Sequence, residues 1–229
     1  MTNPIVKSVL SFLKDMVIIV VSALVISFLI KTFLFRSFYI PTASMETTLL
    51  VNDRIIVNEL VPDLFALEQG DVVVFRDPGG WLSAHNLSEP DLFTQAVDTI
   101  FAVVGLGGSD SEDHLVKRLI GLPGDHVVCC SPSGQLEVNG VAIDEPYIKV
   151  PSSDSAASGI EFDIVVPADS LWVMGDNRYN SADSRYNQDQ PGKGFVPIDK
   201  VVGRAIVVSW PFDRWSWLEN RGDIFPNAE

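Results

Sequence analysis

The chain is predicted to be mainly β, with an N-terminal single transmembrane helix followed by an antiparallel β-barrel or two-sheet domain that carries one helical insertion. Three observations predict this. One long apolar run occupies residues 16–35. The remainder breaks into short β-rich runs punctuated by Gly, Pro, Asn and Asp, the pattern of an all-β domain. A length of 229 residues accommodates one anchor and one sizeable core.

The apolar run reads MVIIVVSALVISFLIKTFLF. At ~1.5 Å per residue, about twenty residues match a ~30 Å hydrocarbon core. Lys31 lies a turn from its end and can snorkel to the headgroups. A cleaved secretory signal has an apolar region of only about 7–15 residues and a small-residue cleavage site, whereas this run leads into Phe33, Phe35, Phe38 and Tyr39, so the segment is expected to be retained. Lys7 and Lys14 on one side nearly balance Lys31 and Arg36 on the other, so charge does not decide the orientation. The hydrophobic fraction of 47% and mean hydropathy of +0.23 agree with a membrane protein. The net charge of −14 resides after the anchor and disfavours nucleic acid as a partner.

Strands are expected at 54–60, 71–75, 115–120, 126–130, 135–138, 141–143, 171–174 and 201–210. Asn139-Gly140, between Leu136-Glu137-Val138 and Val141-Ala142-Ile143, predicts a hairpin, because a type I′ turn needs φ above zero at both central positions. The insertion at about 88–104 opens on Ser88-Glu89-Pro90-Asp91, which has the shape of a capping box. Leu92, Phe93, Ala96, Val97, Ile100, Phe101 and Val104 then recur at helical spacing. A helix packed on the barrel is preferred there to one lying in the membrane interface, and Asp98 with the short length excludes a second span. Residues 107–113, 151–159 and 187–194 read as loops. The aromatics from Trp210 to Trp217 suit either a membrane interface or closure of the barrel.

Cys129 and Cys130 are adjacent, so on a strand they point to opposite faces and an ordinary bridge is awkward. A vicinal disulfide in an oxidising compartment stays open. His126 precedes them, but His-x-x-Cys-Cys supplies too few convergent ligands, and no metal or other cofactor is expected. His85, His114 and His126 read as loop or surface residues.

Two residues suggest chemistry. In His114-Leu115-Val116-Lys117-Arg118-Leu119-Ile120, a strand places Lys117 on the same side as Leu115 and Leu119. A buried ammonium is costly unless it releases its proton, and a neutral Lys amine is a general base. Ser44, in Ile40-Pro41-Thr42-Ala43-Ser44-Met45, is flanked by small and turn-forming residues and is a candidate nucleophile. The plainer alternative is a serine in a polar loop after the anchor.

Three further segments join that hexapeptide: Gly70-Asp71-Val72-Val73-Val74-Phe75, then Lys117-Arg118-Leu119-Ile120-Gly121-Leu122-Pro123-Gly124-Asp125, then Gly175-Asp176-Asn177-Arg178-Tyr179-Asn180-Ser181-Ala182-Asp183-Ser184-Arg185. In this order, behind an N-terminal anchor, the four resemble the bacterial type I signal peptidases. The adjacent cysteines and the insertion resemble actinobacterial members. The resemblance implies a membrane-anchored serine endopeptidase that removes N-terminal signal peptides from secreted preproteins, with small side chains preferred at the first and third positions before the cut. It implies Ser44 as nucleophile and Lys117 as general base. Thr42 and the Ser44 backbone N–H would bind the oxyanion, Ser181 would orient the Lys, Asp183 and Arg185 would form a supporting ion pair, and Gly175 would pack close to the site. Its partners would be preproteins and the lipid bilayer, with a monomer expected. Residues 1–15 would be cytoplasmic, 16–35 the single-pass span in the cytoplasmic membrane, and 36–229 the extracytoplasmic peptidase domain.

This chain departs from the family pattern in three places, one of them the 187–194 stretch, which looks like an insertion. Glu46-Thr47-Thr48 stands where a Pro usually lies two places after the Ser-Met pair, and Tyr179 replaces a common acidic residue. Self-cleaving repressors share a related core but carry a DNA-binding helix-turn-helix where this chain has its apolar run. Ser11-Phe12-Leu13-Lys14 matches the penicillin-binding Ser-x-x-Lys pattern but precedes the anchor. No Gly-x-Ser-x-Gly accompanies the histidines. A silent membrane-bound peptide binder is the alternative from another class, and the presence of both Ser44 and Lys117 argues against it.

Overall fold

The computed structural model describes residues 4–82, 113–153 and 155–226, and within the N-terminal helix it places the side chains of 11–27. The insertion expected at 88–104, His85 and the loop at 107–112 lie outside the described residues. Helix α1 runs Pro4–Phe33. Proline is at home at the start of a helix, where its missing N–H has no partner to lose, and 30 residues at ~1.5 Å each span about 45 Å. The helix therefore starts well before the apolar run and stops short of the expected boundary at 35. Phe35 instead opens strand β1 (Phe35–Tyr39), which pairs antiparallel with β2 (Arg54–Asn58) from Phe35↔Asn58 to Tyr39↔Arg54. Over the residues described with their side chains, which in α1 are 11–27, no helix is long and apolar enough to cross a membrane. The side chains placed in that stretch, Phe12, Ile19 and Leu24 among them, are exposed.

The other strands are β3 (Val72–Arg76), β4 (His114–Gly121), β5 (His126–Cys129), β6 (Leu136–Val138), β7 (Val141–Ala142), β8 (Phe162–Val165), β9 (Ser170–Met174), β10 (Val196–Pro197), β11 (Val201–Trp210) and β12 (Ser216–Trp217). They build two antiparallel sheets. The larger runs β1-β2-β11-β3-β4-β9-β10 with β12 paired to β11, and the smaller runs β7-β6-β5-β8. The Asn139-Gly140 turn has φ of 53° and 79° at its two central residues and joins β6 to β7, as the dipeptide predicts.

Apolar side chains of β4 and β9 (Ile120, Trp172, Met174) meet those of β5, β6 and β8 (Val127, Leu136, Val138, Phe162) in one core between the sheets. A second core lies under β1, β2, β3 and β11, where Phe38, Ile55, Val57, Val72, Val74 and Val208 close over Met45 and Leu49. The opposite faces of β3, β4 and β9 bury Val73, Phe75, Leu115, Leu119 and Val173. Packed interiors of this kind hold side chains in fixed rotamers, so the turn carrying Ser44 and the strand carrying Lys117 are both set in rigid surroundings.

Cys129, the last residue of β5, and Cys130 are disulfide-bonded to each other. Of the histidines read as loop or surface residues, His114 lies on a strand. It heads β4 rather than lying in a loop, is half-buried, and tilts its ring against Phe38 at 5.3 Å between centroids. His126 is exposed on β5, 2.6 Å from Asp163.

Candidate active site

Ser44 sits in a single 3-10 turn, Ala43–Met45, directly after β1. Pro41 and the extended Thr42 keep the chain from continuing as strand or helix, and Met45 drops into the core below, so the turn is pinned by its apolar residue while the serine faces a cavity. That cavity measures about 750 Å³, and Thr42, Trp81, His114, Lys117 and Ser181 are among its lining residues.

Lys117 occupies the middle of β4, between buried Leu115 and Leu119 and opposite buried Val73. It is only 4% exposed. Its Nζ donates to Ser44 Oγ at 2.7 Å and to the Val116 carbonyl at 3.0 Å. Removal from water disfavours the ammonium and is the main cause that lowers the Lys117 pKa from 10.5 to about 8. The fields of Asp183 and Asp176 work against that lowering, and Arg185 adds to it. At pH 7.5 roughly a quarter of the molecules then carry a neutral amine, within reach of a hydroxyl proton.

The remaining expected site residues gather here, with one difference. Thr42 Oγ1 donates to Ser44 Oγ at 3.3 Å. Asp183 and Arg185 form a fully buried two-pronged pair (Nε–Oδ1 2.8 Å, Nη2–Oδ2 2.7 Å), and Asp183 Oδ2 also accepts from the Gly175 N–H at 2.9 Å. A Cβ on Gly175 would lie 2.2 Å from Ser181 Oγ and 2.5 Å from the Ser44 carbonyl oxygen, so only glycine lets these segments approach. Ser181 does not make the expected hydrogen bond to Lys117. Its buried hydroxyl has no hydrogen-bond partner among the described residues, because the amine is directed to Ser44 and to its own strand's carbonyl.

Other residues of the site were not singled out in the sequence. Arg118, the neighbour of Lys117, forks onto Asp176 at 2.8 and 2.7 Å, donates to the Gly70 carbonyl at 2.7 Å and lies over the Tyr147 ring. Thr48 Oγ1 also donates to Asp176 Oδ2 at 2.5 Å. This joins the turn after Ser44 to β4 and to the Gly175 segment. Arg178 pairs with Glu145 at 2.7 Å, with both side chains buried. Asn177 reaches the backbone on either side of Ser44: its N–H donates to the Ser44 carbonyl at 3.1 Å and its Nδ2 to the Ala43 carbonyl at 3.0 Å. Where a Pro was expected, Thr47 takes φ of +100° and its hydroxyl donates to the Tyr147 carbonyl. Polar ties thus stand in for ring stiffness. Arg118, Asp176 and Asn177 all lie inside the quoted motifs, and a charged residue in an otherwise apolar strand was the available signal for Arg118.

Residues 13–210 match the family described as signal peptidase, peptidase S26. The chain is 37% identical over 200 residues to a Mycobacterium leprae protein named "Probable signal peptidase I", covering 77% of this chain and 68% of that one. It is 36% identical over 222 residues to the "Signal peptidase I" of Mycobacterium tuberculosis, covering 90% and 75%. The "Probable signal peptidase I-2" of Synechocystis is 38% identical over 176 residues, covering 77% and 63%.

Proposed function

Because the chain belongs to the signal peptidase family, peptidase S26, and is a serine peptidase of the type I kind, we propose that it is a membrane-anchored endopeptidase that cuts signal peptides from secreted preproteins with a Ser44–Lys117 dyad. One observation carries this reading: a Lys amine removed from water lies 2.7 Å from a serine hydroxyl on the wall of an open cavity. The neutral Lys117 amine takes the Ser44 proton as Oγ bonds to the scissile carbonyl carbon. The carbonyl oxygen becomes an oxyanion, met by the Ser44 backbone N–H and the Thr42 hydroxyl. The Lys117 ammonium then gives its proton to the leaving nitrogen, the C–N bond breaks, and the mature chain departs. Water, deprotonated by the same amine, attacks the acyl-Ser44 ester and releases the signal peptide.

Gly175, Ser181 and the Asp183–Arg185 pair are assigned supporting roles, holding the wall of the site against Lys117. The apolar part of α1 is assigned the membrane span and the domain after it the extracytoplasmic side, supported by the exposed apolar side chains of 11–27. Ser44 lies eleven residues beyond Phe33, the last residue of α1, so even extended chain at ~3.3–3.6 Å per residue keeps it within about 40 Å of the helix end. Substrates whose own apolar segments lie in the bilayer would meet it there.

The test is cleavage of a preprotein by full-length enzyme in detergent or lipid. Ser44→Ala and Lys117→Ala are each expected to abolish cleavage while the protein still folds. Lys117→Arg fails as well, since a guanidinium does not give up its proton. Near-normal turnover in any of the three would overturn the dyad, and a peptide binder would give no cleavage even with Ser44 intact.

A further inference from the structure

We infer that Asn177 is a positioning residue that sets the Ser44 backbone N–H as an oxyanion donor, acting through the Ala43 carbonyl. The inference rests on the reading of Ser44 as nucleophile and adds a residue that the resemblance does not assign. A trans peptide is planar, so the carbonyl of Ala43 and the N–H of Ser44 belong to one rigid unit and point in opposite directions. Fixing one end fixes the other. The Ala43 oxygen accepts from Asn177 Nδ2 at 3.0 Å and from the Glu46 N–H at 3.1 Å. The next carbonyl, that of Ser44, accepts from the Asn177 N–H at 3.1 Å. One residue therefore holds two consecutive peptide units of the nucleophile's turn from the same side.

The Asn177 amide is itself held. Its Nδ2 also donates to Glu46 Oε2 at 3.2 Å, and the same carboxylate oxygen accepts from Lys149 Nζ at 2.8 Å. Both neighbours of Nδ2 are acceptors, which requires the nitrogen rather than the oxygen to face them. The Asn177 side chain is buried, and its backbone forms a bridge with Lys149. A three-residue turn has little hydrogen bonding of its own, and Thr42 offers no side-chain cap to Ala43–Met45. Loss of the Asn177 amide would leave the Ala43 carbonyl with the Glu46 N–H as its one remaining donor among the described residues, and the Ala43–Ser44 peptide able to tilt. Displacement of an oxyanion donor is felt in the transition state and not in substrate binding, and complete loss of such a donor costs about 10²–10³ in kcat.

The test compares wild type with Asn177→Ala and Asn177→Asp as full-length protein, using a signal-peptide substrate and two inhibitors of matching sequence. One inhibitor ends in an aldehyde, to which Ser44 Oγ adds with no leaving group. Its carbonyl oxygen enters the oxyanion position. The other ends in the corresponding alcohol and only occupies the groove. The expected result is a kcat lowered about 10- to 100-fold with KM within about twofold, aldehyde affinity falling in step with kcat and alcohol affinity unchanged, at a melting temperature that shows both variants folded. A kcat within twofold of wild type in the folded variants, or equal losses of affinity for both inhibitors, would overturn it. Should Ser44→Ala retain cleavage, the underlying dyad fails instead, so the two outcomes are distinguishable.

Discussion

At the scale of single residues, the account turns on where Lys117 is placed and what that placement costs. Between about pH 8 and 10.5 the unfolded chain still binds a proton that the folded Lys117 has released, so this residue makes stability rise with pH over that window. Below about pH 8 both states are protonated, and the folded state bears the full burden of a buried ammonium, on the order of 3 kcal/mol. Lys117→Met should therefore stabilise the protein by about 2 kcal/mol at pH 7, with the gain shrinking as pH rises towards 10.5. Urea unfolding in detergent at several pH values checks this, and a gain independent of pH would contradict it. Lys117 was legible because a period of two needs only the neighbours on its own strand. Ser44 was legible only as an unusual turn until the other motifs joined it. The missing Ser181–Lys117 bond was not legible, since which of several acceptors an amine chooses depends on distances that closing the sheet sets.

At the scale of elements, short β-rich runs set off by turn residues revealed most of the strands, and β2 through β7, β9 and β11 lie where those runs put them. The strands that escaped notice have physical reasons. Strand β1 directly continues the apolar run of α1, β10 is a two-residue Val-Pro edge strand, and β12 is a two-residue pairing onto the end of β11. Edge pieces of that length have no period to read, and proline belongs at sheet edges. In strand β8 only Phe162 is buried and Asp163 interrupts the apolar run, so it does not stand out from the loop before it. The contacts that tie elements together were equally hidden: Arg118–Asp176 joins β4 to the segment after β9, and Thr48 adds the turn after Ser44 to the same carboxylate. Both charged side chains are at most 2% exposed, so removing one partner leaves the other buried without a counter-charge. Arg118→Met is expected to destabilise the protein by about 3–5 kcal/mol, with Arg118→Met/Asp176→Leu recovering much of that loss. A double variant no more stable than the single one would contradict this view of the pair.

At the scale of the whole molecule, two antiparallel sheets share one core and hold the turn with Ser44 against the strand with Lys117, while a long N-terminal helix leads into the edge of the larger sheet. Phe212, Trp215 and Trp217 are exposed, Trp217 on the two-residue strand β12 that pairs along β11. Both sheets and all four motifs were foreseeable, because each motif is a contiguous run whose chemistry is local. The Asn177–Glu46–Lys149 clamp was not, because it joins residues more than a hundred positions apart. The most direct test of the central claim is titration of the Lys117 amine in the intact protein, followed by NMR of its ε-carbon in bilayer or detergent with Ser44→Ala as reference. A midpoint near pH 8 in both proteins is the expected result, since burial rather than the serine sets it. A midpoint near 10.5, the ordinary value for a solvated lysine, would contradict the claim that this amine serves as a base.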